Sequence, residues 1–138
     1  MRCKHFKTWE LVPKALYNGY EEYKLWWLFD ERALWTLDAL RDQYGKMVIN
    51  DWKSGGEYQE RGYRLGGSAT GALMSQHKYG RAFDCKFLDI PVGVVRQDCI
   101  DGRYSCFDRI TAIELGVSWF HFDLRCLNDN EKLMTFEK

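Results

Sequence analysis

Two short stretches of this 138-residue chain carry the side chains best suited to metal chemistry. Residues 75–84, SQHKYGRAFD, contain His77 and Asp84, and residues 119–123, WFHFD, contain His121. A catalytic zinc ion typically takes three protein ligands from His, Asp, Glu or Cys and leaves a fourth position to water. The sequence therefore predicts one zinc ion per chain, with His77, Asp84 and His121 as its ligands.

The spacing in the first stretch indicates a loop followed by a strand. His77 and Asp84 are seven residues apart, too far to lie on adjacent turns of one helix. Gly80 between them permits a bend. A strand that ends near Asp84 would point this carboxylate to one side of the sheet, and Phe83 and Cys85 to the other.

The second stretch alternates between two kinds of side chain. Trp119, His121 and Asp123 fall on one face of the predicted strand, and Phe120 and Phe122 fall on the face that is expected to be buried. Because Asp123 shares a face with His121, it is a candidate for orienting the imidazole from behind the metal.

These motifs carry a family resemblance. The pattern Ser–x–His–x–x–Gly–x–Ala–x–Asp, which begins at Ser75, and the later Trp–x–His resemble the M15 family of zinc D-Ala-D-Ala carboxypeptidases and L-alanyl-D-glutamate endopeptidases, especially its small phage-encoded members. The similarity extends over residues 5–125. It implies an α+β domain of the DD-peptidase-like fold, with a small antiparallel sheet flanked by helices. It also implies His77, Asp84 and His121 as zinc ligands, Ser75 close behind them, and bacterial peptidoglycan peptide as the substrate.

The chain departs from the family at the general base. Many members have an acidic residue three positions before the second histidine, where this chain has Ser118, a poor base near neutral pH. Glu114 and Asp123 are the substitutes within reach. Residues 109–114 read as a strand and Gly116 as a turn, so Glu114 would end the first arm of a hairpin beside the site. We predict Glu114 as the base, because a carboxylate there is well placed to shuttle a proton.

A glycine-rich segment, residues 53–74, is expected to form the rim of the site. It contains Arg61 and Arg64. The resemblance implies that one arginine here binds the carboxylate of the peptide, and a guanidinium fork suits that role. The sequence does not distinguish the two.

Composition limits the remaining possibilities. With 46% hydrophobic and 16% aromatic residues, residues 1–138 are expected to form a single packed domain. A formal net charge of zero argues against a nucleic-acid partner. No apolar run approaches the ~20 residues of a membrane span, and the N-terminus does not resemble a signal peptide. We therefore expect a protein that is cytoplasmic as synthesised and that acts at a cell wall if a phage lysis system releases it or a virion carries it. A monomer is favoured, because no heptad repeat or obvious association patch is visible.

Two other functions remain open at this stage. A cysteine hydrolase would use Cys85 or Cys106 with His121, although the five widely spaced cysteines suit reduced, buried thiols. The other is a zinc-stabilised binding or structural module without catalysis, such as a virion component. Ser118 favours this module, because it stands where many members of the similar family have an acidic base.

Several supporting elements are predicted. The tail, residues 127–138, is expected to pack loosely. Capping and periodicity predict helices from Pro13 to about Asn18, between Asp30 and Gly45, and over Val92–Ile100, and a strand over residues 47–52.

Overall fold

A five-stranded sheet forms the centre of the protein, with the strand order β1–β2–β4–β3–β5. The computed structural model describes all of residues 1–138, and its strands are Met47–Val48 (β1), Ala82–Phe87 (β2), Ala112–Glu114 (β3), Phe120–Asp123 (β4) and Met134–Phe136 (β5). Neighbouring strands are antiparallel except β3 and β5, which are parallel. The predicted α+β class with a small sheet and flanking helices is confirmed, but the sheet is mixed and not wholly antiparallel.

Four α-helices accompany the sheet: Lys14–Gly19 (α1), Glu22–Leu25 (α2), Glu31–Tyr44 (α3) and Val92–Ile100 (α4). The predicted bounds of α4 are confirmed. Helix α3 also lies between the two predicted caps, Asp30 and Gly45. The Asp30 carboxylate accepts a hydrogen bond of 2.9 Å from the backbone N–H of Arg32, and Gly45 ends the helix with φ of +84°.

One face of the sheet packs on α3 to form the core. The alternation of β2 and β4 sends apolar side chains to this face, as predicted, so their polar neighbours point to the other face. The fully buried members of this core include Phe83, Cys85, Phe120 and Phe122 from the strands and Leu34, Leu37 and Leu40 from α3.

The tail differs from its prediction. Residues 134–136 form β5, where the Met134 N–H donates to the carbonyl of Thr111 at 2.8 Å and the Leu115 N–H donates to the carbonyl of Phe136 at 2.7 Å. A three-residue strand is too short for its alternation to be distinguished from a loop. Strand β1 is also shorter than predicted and ends at Val48.

A bend at Gly80 joins the segment of His77 to β2. Gly80 has φ of +68°, and its carbonyl accepts a hydrogen bond of 3.0 Å from the Asp30 N–H. A Cβ atom added here would lie 1.9 Å from the carbonyl oxygen of Leu28. Backbone must therefore move to admit any side chain.

We expect Gly80→Ala to destabilise the protein by more than the about 1 kcal/mol typical of single substitutions, because it combines a positive φ with a backbone clash. Chemical denaturation would measure the change in the free energy of unfolding. Gly93→Ala is the matched control, since a Cβ atom at this position in α4 has no neighbour within 4 Å and alanine favours helix. Equal stability of the two variants would contradict the prediction.

Candidate metal centre

Two neighbouring strands and one short helix position the three predicted ligands. Asp84 on β2 lies opposite His121 on β4 in the strand register. His77 lies in a 3-10 helix, Gln76–Tyr79, directly before the bend at Gly80. All three side chains are buried, and one ligand atom from each lies within 4.8 Å of the other two. This group can hold a metal ion.

The distances suit a tetrahedral ion. Oδ1 of Asp84 lies 3.3 Å from Nε2 of His77 and 2.8 Å from Nδ1 of His121. Ligands about 2.0–2.1 Å from a tetrahedral zinc lie about 3.3 Å from one another, so small shifts would bring all three to bonding distance. Two imidazoles and one carboxylate are also a donor set that zinc accepts.

Contacts behind the histidines determine which ring nitrogen each presents. Nδ1 of His77 donates to the carbonyl of Gly62 at 2.8 Å, which leaves Nε2 to face Asp84. Nε2 of His121 donates to Oδ2 of Asp123 at 2.8 Å, which leaves Nδ1 on the ligand side. Asp123 thus lies where the sequence placed it, behind His121. Outer contacts of this kind fix the tautomers of metal-binding histidines.

The electrostatics of this group favour ionised carboxylates and a positive His121. Burial opposes ionisation of Asp84, but the charge of His77 and a hydrogen bond from His121 outweigh it and hold the pKa of this carboxyl well below its usual range. Burial likewise opposes protonation of His121, yet hydrogen bonds to Asp123 and Asp84 raise its pKa to about 9. Near neutral pH the metal-free ring therefore carries a proton on Nδ1, where a metal would bind.

We expect zinc binding at pH 7 to release about one proton, because the metal must displace it from Nδ1 of His121. Calorimetric titrations in buffers of different ionisation enthalpy would count the released protons. Apparent affinity should rise by about tenfold per pH unit up to about pH 9 and level off above it. A binding enthalpy that is the same in every buffer at pH 7 would contradict this expectation.

Glu114 lies in the same cavity as the three ligands. It ends β3, next to β4, and its side chain is buried, with 7% exposed. The cavity has a volume of about 160 Å³. Ser118, three positions before His121, is exposed and does not line this cavity. Glu114 is therefore the acidic side chain that shares the cavity with the ligand group without belonging to it.

The two arginines of the rim have different positions. Arg64 donates to Oδ2 of Asp84 at 3.3 Å, to Ser75 at 3.4 Å and to the carbonyl of Glu60 at 2.8 Å. Ser75 thus contacts Arg64 and makes no hydrogen bond to the three predicted ligands. The Arg61 guanidinium instead stacks 3.5 Å from the centre of the Tyr58 ring and lines an adjoining cavity.

Three contacts of the site were not predicted from the sequence: the Gly62 carbonyl on His77, the Arg125 guanidinium on Asp123, and the ring of Phe136 near His121. The Phe136 ring meets His121 edge to face, with centroids 5.6 Å apart. Arg125 follows Asp123 by two residues, a spacing that places both side chains on one side of an extended chain. That spacing could have indicated the contact between Arg125 and Asp123, whereas the sequence holds no comparable signal for Gly62 or Phe136.

The cysteines lie outside this arrangement. Cys85 is fully buried on the face of β2 opposite Asp84, and burial raises the pKa of its thiol well above the usual range. Burial also raises the pKa of Cys106 to about 11. Since the thiolate is the nucleophile, neither cysteine has the environment of a reactive residue.

Comparison with known protein families, curated proteins and solved structures finds no match to this chain. None of its helices has both the length and the apolar character needed to cross a bilayer.

Proposed function

We propose that this protein is a zinc-dependent peptidase that hydrolyses a peptide bond in bacterial peptidoglycan. The observation that carries the proposal is the presence of the His77, Asp84 and His121 group and the Glu114 carboxylate in one cavity. A metal triad supplies an activated water and a Lewis acid, and a separate carboxylate supplies a general base, so together they suit metal-assisted amide hydrolysis. The resemblance of the two motifs to cell-wall peptidases supports the choice of substrate.

The residues have distinct roles in this proposal. His77, Asp84 and His121 hold zinc, which when bound activates water and polarises the scissile carbonyl. Glu114 accepts a proton from the attacking water and passes it to the nitrogen of the leaving amine. Arg64 helps to orient Asp84 through its hydrogen bond to Oδ2.

Arg61 is the better candidate for binding the carboxylate of the substrate. Its guanidinium lines a cavity of about 470 Å³ that borders the metal cavity, with Arg64, Asp84 and Trp119 in both walls. Arg64 is already committed to protein partners, whereas stacking on Tyr58 orients the Arg61 fork without occupying its donors. We propose that the peptide extends from the metal into this second cavity.

Digestion of purified peptidoglycan by zinc-loaded protein tests the proposal, with released fragments identified by mass spectrometry. We expect peptide fragments whose masses identify one cleaved bond, loss of the activity in EDTA, and recovery with zinc. Iodoacetamide should leave the rate of fragment release unchanged, whereas it would block a cysteine hydrolase. Stoichiometric zinc with no released peptide would refute the peptidase.

A zinc-stabilised binding module is the second candidate, favoured by the absence of an acidic residue at position 118. For such a module, removal of zinc would lower the melting temperature although the loaded protein releases no fragments from peptidoglycan. The same preparation therefore distinguishes the two functions.

A further inference from the structure

Arg125 makes a two-pronged contact with the carboxylate behind His121. Its Nε donates to Oδ1 of Asp123 at 2.8 Å, and its Nη2 donates to Oδ2 at 2.6 Å. The backbone N–H of Arg125 adds a third bond to Oδ1, at 3.1 Å. Asp123 is completely buried, so the plane of its carboxylate is set by this fork.

The fixed carboxylate in turn fixes the imidazole. Oδ2 of Asp123, already bonded to Arg125, also accepts the Nε2–H of His121 at 2.8 Å. The Arg125 guanidinium lies 4.6 Å from the centre of the Phe136 ring, and that ring meets His121 edge to face. Each of the four side chains, Arg125, Asp123, His121 and Phe136, therefore contacts two of the others. The imidazole cannot rotate by a half-turn without breaking its hydrogen bond to Asp123.

We propose that Arg125 is a positioning residue that, through Asp123, makes Nδ1 of His121 the nitrogen presented to the metal. Without the guanidinium, only the backbone N–H of Arg125 on Oδ1 would hold the carboxylate from the side opposite His121, and the carboxylate could rotate together with the imidazole. A fork removes that freedom, because both oxygens are engaged in one plane. The inference rests on the zinc binding of the proposed function, but not on its substrate.

The chain provides a matched control for the fork. Arg32 and Asp30 have the same two-residue spacing, with Nε to Oδ1 at 3.1 Å and Nη2 to Oδ2 at 2.7 Å, at the start of α3. Arg32→Met therefore removes a fork of similar geometry that has no contact with the ligand group. Arg125→Met removes the fork behind His121, and Arg125→Lys keeps the charge but loses the planar geometry.

Two measurements test the inference: the zinc affinity by competition with a chelator, and the ¹⁵N chemical shifts of the His121 ring in the zinc-loaded protein. We expect the wild type and Arg32→Met to show one ring form, protonated at Nε2. Arg125→Met should lose about 10–100-fold in affinity, the usual cost of an outer contact, and show more than one ring form. The zinc affinity of Arg125→Lys should lie between those of the wild type and Arg125→Met.

A single ring form with wild-type affinity in Arg125→Met would overturn the inference. If that variant does not fold, the same result in Arg125→Lys would overturn it equally. Failure of the wild type to bind zinc would refute the metal site itself. Zinc binding without peptidoglycan cleavage would refute the peptidase and leave this inference intact.

Discussion

Glu114→Gln is expected to lower kcat on peptidoglycan by about 10²–10⁴-fold while the protein still binds one zinc ion. This range is the usual contribution of a positioned general base, and the amide of glutamine cannot accept the proton. The substitution conserves shape, so the buried end of β3 should remain folded. Initial rates on peptidoglycan, with zinc measured in the same sample, would give both quantities.

Glu137→Gln is the control for this prediction. Glu137 follows β5, is exposed and does not line the cavity, so the substitution removes the same charge outside the site. Its kcat should match that of the wild type. An undiminished kcat of zinc-loaded Glu114→Gln would exclude Glu114 as the general base. Asp123 would then be the remaining candidate for that role. Asp123, however, is completely buried and bonded to both His121 and Arg125.

The sequence predicts which side chains of the two motifs point away from the core because this information is local. The alternation of β2 and β4 determines which side chains face the core, and two adjacent antiparallel strands then place Asp84 opposite His121. The bend at Gly80 is likewise encoded by one residue with a positive φ. Residue type and short-range periodicity predict these local features, whereas the choice of His77, Asp84 and His121 as ligands of one ion also depends on the resemblance of the two motifs to zinc peptidases.

The contacts that orient the ligands depend on long-range packing. The carbonyl that accepts the proton of His77 belongs to Gly62, and any residue type could supply that group. Its choice follows from the close approach of Gly62 to Leu11, where a Cβ atom would lie 2.3 Å from the Leu11 carbonyl oxygen. Phe136 reaches His121 only because β5 joins the sheet in parallel beside β3. No local pattern encodes these approaches.

The different positions of Arg61 and Arg64 also depend on packing and could not be predicted from the sequence. Both lie in a loop without periodicity, and both have the chemistry to bind a carboxylate. The structure separates them because Gly71 lets the rim approach Arg64: a Cβ atom at Gly71 would lie 2.5 Å from Nη1 of that arginine. Packing thus holds Arg64 against Asp84 and leaves Arg61 in the second cavity.

Asp84→Asn is expected to abolish stoichiometric zinc binding and, with it, hydrolysis of peptidoglycan. Oδ1 of Asp84 is the atom that both histidines approach, at 3.3 Å and 2.8 Å, so this carboxylate is the centre of the group. An amide carries no charge to balance the cation, and it leaves Arg64 facing a neutral side chain. The loss in zinc affinity should exceed the about 10–100-fold expected for an outer contact.

Asp98→Asn is the control for Asp84→Asn, because Asp98 is buried to a similar extent, 7% exposed against 6%, yet lies outside the cavity. Its carboxylate accepts a hydrogen bond of 2.8 Å from the Tyr44 hydroxyl. This substitution should lower the free energy of unfolding while leaving the zinc affinity and the rate of hydrolysis unchanged. Loss of zinc from both variants would mean that general destabilisation empties the site. Loss from Asp84→Asn alone would identify its carboxylate as a ligand.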